Sequence, residues 1–189
     1  MAQVLKEEIR KRIFEAALDE FFEKDFKTAI MRDIAIRAGI PTGLIYSYYK
    51  NKQALFEEIV RPVIWNFPET LKEAEASSDM GMENYFKIER KFYVSLFDRR
   101  KEFLLLMDKS LGTKYADAKD KMIHKIEQHI RVILQKRGTQ EYDDILFHIL
   151  AANHVESLLE IMRHYKNREW AEEMLDLVKK QFFLGSDSL

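Results

Sequence analysis

Between Arg32 and Lys52 the chain gathers groups suited to holding an anion or reading a polar edge. They are the hydroxyls of Thr42, Tyr46, Ser47 and Tyr48, the guanidinium of Arg32 and the ammonium of Lys52. Hydroxyls donate to phosphate oxygens and to base edges, and basic side chains neutralise phosphates. Ala35, Gly39 and Ile45 stand among them at the spacing Ala-x3-Gly-x5-Ile, the interval of a helix-turn-helix. Each has a mechanical reason. Ala35 leaves room where two helices cross, and Gly39 takes the left-handed backbone that a three-residue turn demands. Ile45 then packs back between the helices with Ile34, Ala38, Ile40 and Tyr49.

Fixing Ile45 inward decides what the second helix presents outward. At about 100° per residue, Gly43 and Ser47 lie nearly opposite Ile45, flanked by Thr42, Leu44 and Tyr46. That face is small, hydroxyl-bearing and uncharged. Gly43 lets a backbone approach closely, Leu44 suits a thymine methyl, and Tyr46 and Tyr48 donate to phosphate oxygens. Lys52 opens the next helix, where charge and dipole both favour an anion. A generic helical hairpin with a polar outer face would share the Ala-Gly-Ile spacing, so the surrounding residues must decide.

Those residues must be positioned by helices. Ile9, Ile13, Ala16, Ala17 and Phe21 recur at helical spacing, which predicts a long amphipathic first helix stopping near Lys24-Asp25. Short helices follow over 31–38 and 42–49, split by Gly39-Ile40-Pro41. Asn51 is the expected N-cap of a fourth helix from Lys52, which Pro62 and Pro68 should kink or end. Ser77-Ser78-Asp79 is the best linker. Beyond it the pattern predicts helices over about 82–98, 100–111, 115–137, 141–166 and 168–183, with Gly112 and Gly138 at C-terminal caps. No stretch alternates with period two. The reading is all-α, with about nine helices.

Composition narrows the function classes. The 189 residues are 47% hydrophobic and 33% charged, which suits one compact domain or two small ones. Without cysteine there is no disulfide framework, thiolate metal site or cysteine nucleophile. No His-Glu-x-x-His occurs, and the His124/His129 and His148/His154 spacings do not face one direction, so neither a metal nor another cofactor is expected. Neither a nucleophile motif nor a phosphate loop points to an enzyme. The longest apolar run is Phe103–Met107, far short of the roughly 20 residues of a membrane helix. With Glu7 and Glu8 preceding any apolar stretch, a cytoplasmic protein is expected. The net charge is only −1, yet residues 27–52 hold five basic residues and one acid, a local +4. A helical adaptor that binds protein is the alternative, and that basic window with exposed Thr42, Tyr46 and Tyr48 speaks against it.

Taken together, Phe21-Phe22, Asp25-Phe26, Ile34-Ala35, Ala38-Gly39-Ile40, Gly43-Leu44-Ile45-Tyr46, Tyr48-Tyr49, Lys52 and Leu55 resemble the TetR family of bacterial regulators over residues 8–56. The resemblance implies an N-terminal three-helix DNA-binding domain (residues 1–51) and a C-terminal helical effector-binding and dimerisation domain (52–189). It implies a homodimer that represses transcription at a palindromic operator and leaves DNA when a small molecule binds. Carried over by position, Thr42, Gly43, Leu44, Tyr46, Tyr48 and Lys52 are expected to touch DNA, with Arg32 a further phosphate candidate; Ser47 joins them from the helical reading of the outward face. The chain departs from the family at four places. Asp25 stands for a common Gly, Ala29-Ile30 for a hydroxyl pair, Pro41 for Ser and Leu44 for Thr or Ala. Thr28 is expected to cap the second helix in place of that pair.

In the C-terminal half, effector contacts are expected among Trp65, Phe86, Tyr93, Phe97, Phe103, Met107, His124, Asn153 and His154. Aromatics and methionines at helical spacing are more often core, and a polar group in an apolar stripe more often meets a neighbour or water than a ligand. A mainly apolar pocket favours an apolar or amphipathic effector. Ile145, Ile149, Ala152, Leu159 and Met162 mark one stripe of the last two helices and Ala171, Leu175, Val178 and Phe182 another. Paired with a second copy they would form a four-helix dimer bundle.

Overall fold

The first helix breaks where its apolar period breaks. In the computed structural model, which describes residues 2–64, 82–137 and 142–186, α1 runs Ala2–Thr28 but Asp25 leaves helical geometry at φ 75°, ψ 171°. Eight helices follow: α2 (Met31–Arg37), α3 (Thr42–Ile45), α4 (Lys52–Ile64), α5 (Met82–Phe97), α6 (Arg100–Asp108), α7 (Ala118–Arg137), α8 (Asp144–Arg163) and α9 (Arg168–Ser186). No strand occurs among the described residues. Pro62 lies inside α4, which continues two residues past it. Trp65, Pro68, Ser77-Ser78-Asp79 and Gly138 fall outside the described residues, as do the side chains of Tyr85, Phe86 and Phe182.

Packing divides the chain into two units, residues 1–116 and 117–189. In the first, α1 packs on α2, α4 and α6, and α4 packs on α6. Ile13, Ala17 and Phe21 of α1, Ile34 and Ala35 of α2, Ile45 of α3 and Leu55, Phe56 and Ile59 of α4 are all fully buried in this unit. Each large apolar side chain so removed from water stabilises by roughly 1.5–3 kcal/mol. Phe21, Phe26 and Phe56 form a ring cluster, with the Phe56 ring edge-on to both others at 5.3 and 5.1 Å. α6 runs beside α1 in the same direction: Lys101 pairs with Asp19 at 2.7 Å, and the Lys109 carbonyl accepts from the Phe26 N–H at 3.1 Å.

In the second unit α8 packs against both α7 and α9. Among the described residues α8 alone is long and apolar enough to cross a membrane. Its apolarity serves this packing: Phe147, Ala151, Val155, Leu158, Leu159 and Met162 are buried. Asp143 caps α8 by accepting from the Ile145 N–H at 2.9 Å, and Asn167 caps α9 by accepting from the Trp170 N–H at 2.8 Å. The two expected apolar stripes divide. Ile145 and Ile149 are exposed, whereas Leu159, Met162, Ala171 and Leu175 are buried within their own chain.

Candidate nucleic-acid interface

The helix-turn-helix is closed at its turn by a Schellman pattern. The Gly39 N–H donates to the Ile36 carbonyl and the Ile40 N–H to the Ala35 carbonyl, both at 3.0 Å. Gly39 sits at φ 65°, where a side chain is strained. Arg12, from the first helix, fills the space beside it. Its Nη2 donates to the carbonyls of Ala38 at 2.5 Å and Gly39 at 2.9 Å, satisfying acceptors that the end of α2 leaves open. Arg12 lies outside the apolar stripe of Ile9, Ile13, Ala16, Ala17 and Phe21. Its partners lie 26 and 27 positions away, and no periodicity carries that information.

Ile45 is fully buried, with Ile34, Ala38 and Tyr49 beside it in the buried set and Ile40 half-buried. Outward from it, Thr42, Gly43, Tyr46 and Ser47 are exposed, and Leu44 and Tyr48 half-buried. A β-carbon built on Gly43 meets nothing within 4 Å, so the face opposite Ile45 is open at its centre. α3 proper ends at Ile45. The chain continues in turns, with Ser47 N–H donating to Leu44 and both Tyr48 and Tyr49 N–H to Ile45.

The basic window is less free than its charge suggests. Arg37 pairs with Glu23 at 2.6 Å and lies 3.7 Å from buried Glu20, which also holds Lys24 at 2.7 Å. Lys52 turns inward: Nζ donates to the carbonyls of Ala29 at 2.7 Å and Lys27 at 3.3 Å, and lies 4.5 Å from the Phe26 ring centre. Burial lowers its pKa, partly offset by Asp25. Arg32, Lys27 and Lys50 remain exposed, Arg32 with 71% of its side chain accessible, making it the most available guanidinium beside α3. Ile36 is also exposed on α2, and nothing in the structure explains it.

α2 has no side-chain cap; its N-cap residue is Ile30. The expectation for Thr28 is thus corrected. Its hydroxyl donates to the Lys24 carbonyl and lies 3.0 Å from Asp25 Oδ1, closing the break in α1 instead.

Tyr49, Glu58 and Arg10 join α3's end, α4 and α1. The Tyr49 hydroxyl donates to Glu58 Oε1 at 2.9 Å, and Arg10 reaches Oε2 at 2.8 Å. Burial, helped by the Glu58 charge, pushes the Tyr49 phenol up to about 12, so it remains a donor at neutral pH. Burial alone would raise the Glu58 carboxyl, but the bonds from Arg10 and Tyr49 outweigh it and hold the group below the usual range. A carboxyl with a depressed folded pKa contributes stability that is complete above its unfolded pKa, about 4.3. That stability is lost as pH falls through the lower folded value. Glu58→Gln is therefore expected to lower the unfolding midpoint by about 2–4 °C at pH 7, from roughly 1 kcal/mol of lost charge pairing. The gap from wild type should close as unfolding is followed down to pH 3.

The expected effector residues distribute as follows. Tyr93, Phe97 and Phe103 are buried in the first unit and Met107 is half-buried there. In the second unit His154 is buried, but His124 and Asn153 are exposed, His124 lying 3.0 Å from Gln128. Trp65 and the Phe86 side chain lie outside the described residues. Among the described residues no group of three His, Asp or Glu side chains could hold a metal ion.

Comparison with known proteins places this geometry. The profile described as "Bacterial regulatory proteins, tetR family" matches residues 13–59, the segment from α1 to α4. The HTH-type transcriptional regulator YhgD of Bacillus subtilis (strain 168) is 33% identical over 88 residues, 47% of this chain and 42% of that protein. The match thus spans less than half the length of that relative. Solved structures align over nearly the whole chain. A TetR-like transcriptional regulator from Rhodococcus sp. RHA1 aligns with TM-score 0.63 at 17% identity, covering 94% of this chain and 96% of that one. NalD, the secondary repressor of the MexAB-OprM multidrug efflux pump in Pseudomonas aeruginosa, aligns with TM-score 0.60 at 21% identity, covering 95% and 97%. At such identities the likeness is one of fold. Residues 13–59 thus match the tetR family of bacterial regulatory proteins, and the all-helical architecture has the fold of TetR-like regulators.

Proposed function

We propose that this chain is a transcriptional repressor that binds a palindromic operator as a homodimer and leaves it when a small apolar or amphipathic effector binds. One observation carries the DNA-binding part: buried Ile45 turns an uncharged, hydroxyl-rich face with an open centre at Gly43 to solvent. In this reading residues 1–51 are the DNA reader and 52–189 the effector and dimerisation part. Thr42, Gly43, Leu44, Tyr46 and Ser47 enter the major groove. Arg32 and Tyr48 hold phosphates, and Lys52 has its remaining proton for one. Exposed Ile145 and Ile149 on α8 support dimerisation through the last two helices. The chain acts by binding rather than catalysis, in the compartment that holds the operator.

The repressor sign has a family precedent in NalD, described as a repressor. Effector binding to the dimer would favour a separation of recognition helices that misses one DNA turn, about 34–36 Å.

Fluorescence anisotropy on a duplex from immediately upstream of the gene tests the reading, with a scrambled duplex as control. Saturable, salt-sensitive binding that prefers the upstream duplex is expected. Tyr46→Ala should weaken it about tenfold or more, the loss of one contact worth roughly 1–3 kcal/mol. Absence of binding to either duplex at low salt would put the protein-binding adaptor ahead.

A further inference from the structure

α1 contains the one described non-glycine residue with positive φ. Asp25, at φ 75° and ψ 171°, occupies a region that is essentially reserved for glycine. Its side chain holds the break: Oδ1 accepts from the Thr28 N–H at 2.9 Å and from the Thr28 hydroxyl at 3.0 Å. In an unbroken helix the Phe26 N–H would donate to the Phe22 carbonyl, four residues back. Here it donates across to the Lys109 carbonyl at the end of α6, at 3.1 Å. The break also turns the Phe26 ring into the cluster with Phe21 and Phe56, beneath the Lys52 ammonium. Lys52 in turn holds the carbonyls of Ala29 and Lys27, immediately before α2. Gly112, at φ 89°, lies against the same ring: a β-carbon there would stand 3.8 Å from it.

We propose that the Asp25–Phe26 elbow is a poised latch, with Asp25 as its positioning residue, that sets the helix-turn-helix against the segment following α6. The Phe26 N–H has two alternative partners, Lys109 O with the elbow bent and Phe22 O with α1 continuous. A backbone donor does not stay unpaired in a buried setting, so these two arrangements exclude one another. Straightening α1 withdraws Phe26 from its cluster and removes the contacts through which Lys52 fixes the entry to α2. Asp25 makes the bent state costly. It needs a backbone that glycine would take freely, and this strain balances the Thr28 cap and the Phe26 packing. Lys101–Asp19 holds the other end of α6 to α1, so a displacement of α6 acts on the elbow as on a hinge. The link to DNA affinity rests on the regulator reading above; the latch itself does not.

Amide hydrogen exchange on the full chain, free of DNA, is the test, with Asp25→Gly, Asp25→Ala and Asp25→Asn compared. Asp25→Gly loses the Thr28 cap but relieves the backbone, and with strain in the upper part of its range it is expected to slow exchange at the Phe26 amide about tenfold net. Asp25→Ala keeps the strain, loses the Thr28 cap, and should speed exchange there by about tenfold. Asp25→Asn keeps the cap and should stay within about threefold of wild type. The amides of Tyr48 and Tyr49, at the end of the recognition hairpin, should follow Phe26, while those of Ile126 and Ile130 in the second unit stay unchanged. Phe26 exchange that is the same in all four proteins would overturn the latch. So would a Phe26 change that Tyr48 and Tyr49 do not follow. Upstream-duplex affinity measured on the same proteins should rise with Asp25→Gly and fall with Asp25→Ala. If no protein binds DNA while the exchange pattern holds, the regulator reading fails and the latch stands.

Discussion

Gly43→Leu is expected to lower affinity for operator DNA by about 100-fold or more while leaving the fold intact. The two halves of this result come from one geometric fact. A β-carbon at Gly43 points into open space, so leucine meets no protein atom on entry. Leucine is also a better helix former than glycine, by somewhat under about 1 kcal/mol, so thermal unfolding should stay level or rise slightly. On DNA, the same open space is where the groove wall or a base edge must come. A leucine there holds the helix off by its own width and breaks the reach of Thr42, Tyr46 and Ser47 together. Loss of two such contacts, each about 1–3 kcal/mol, gives about 100-fold. Anisotropy and thermal melts on the same preparation check both halves. Unchanged affinity would mean that this face is not the one that meets DNA.

Gly39→Ala is expected to destabilise the first unit by about 3 kcal/mol, lowering its unfolding midpoint by about 6–12 °C. Two causes add. The left-handed backbone at φ 65° costs an L side chain roughly 1–2 kcal/mol. The new methyl would also stand 2.7 Å from Arg12 Nη2, so the guanidinium must leave the Ala38 and Gly39 carbonyls. A charge-assisted bond of this kind contributes about 1.5–3 kcal/mol. A double-mutant cycle with Arg12→Ala separates the causes. On that background Gly39→Ala should cost only the backbone part, about 1–2 kcal/mol. Full additivity would show that the new methyl leaves the bonds from Arg12 to the turn in place.

Which residues α3 and the turn after it turn outward was legible in the sequence because one residue decides it. Once Ile45 is turned inward, helical geometry places Gly43 and Ser47 outward with no further information. The break of α1 was legible too, as a loss of apolar period at Lys24-Asp25, although its left-handed geometry and its bond to Lys109 were not. Helix ends proved harder where side chains compete for backbone groups. α6 stops at Asp108 rather than Leu111, and α7 starts at Ala118 rather than Tyr115. Between them Ser110 Oγ donates to the Tyr115 carbonyl at 2.9 Å and Thr113 Oγ1 to that of Ser110 at 2.7 Å, replacing helical bonds. What could not be read were contacts between residues far apart in sequence. The Arg12 brace spans 26 positions and more, Arg10–Glu58 spans 48, and the inward turn of Lys52 reaches back 23 and 25. Each changes the meaning of a charge that sequence alone reads as solvated or as waiting for a phosphate.

The central claim is that the face opposite Ile45 reads double-stranded DNA in two symmetric copies. Selection of bound duplexes from a random pool, followed by sequencing, tests this most directly. The account predicts an enriched inverted repeat whose half-site centres lie about one helical turn, 34–36 Å, apart or a multiple of it. Gly43→Leu should erase that enrichment. A pool that emerges with no preferred sequence, or an enrichment that Gly43→Leu leaves untouched, would contradict it.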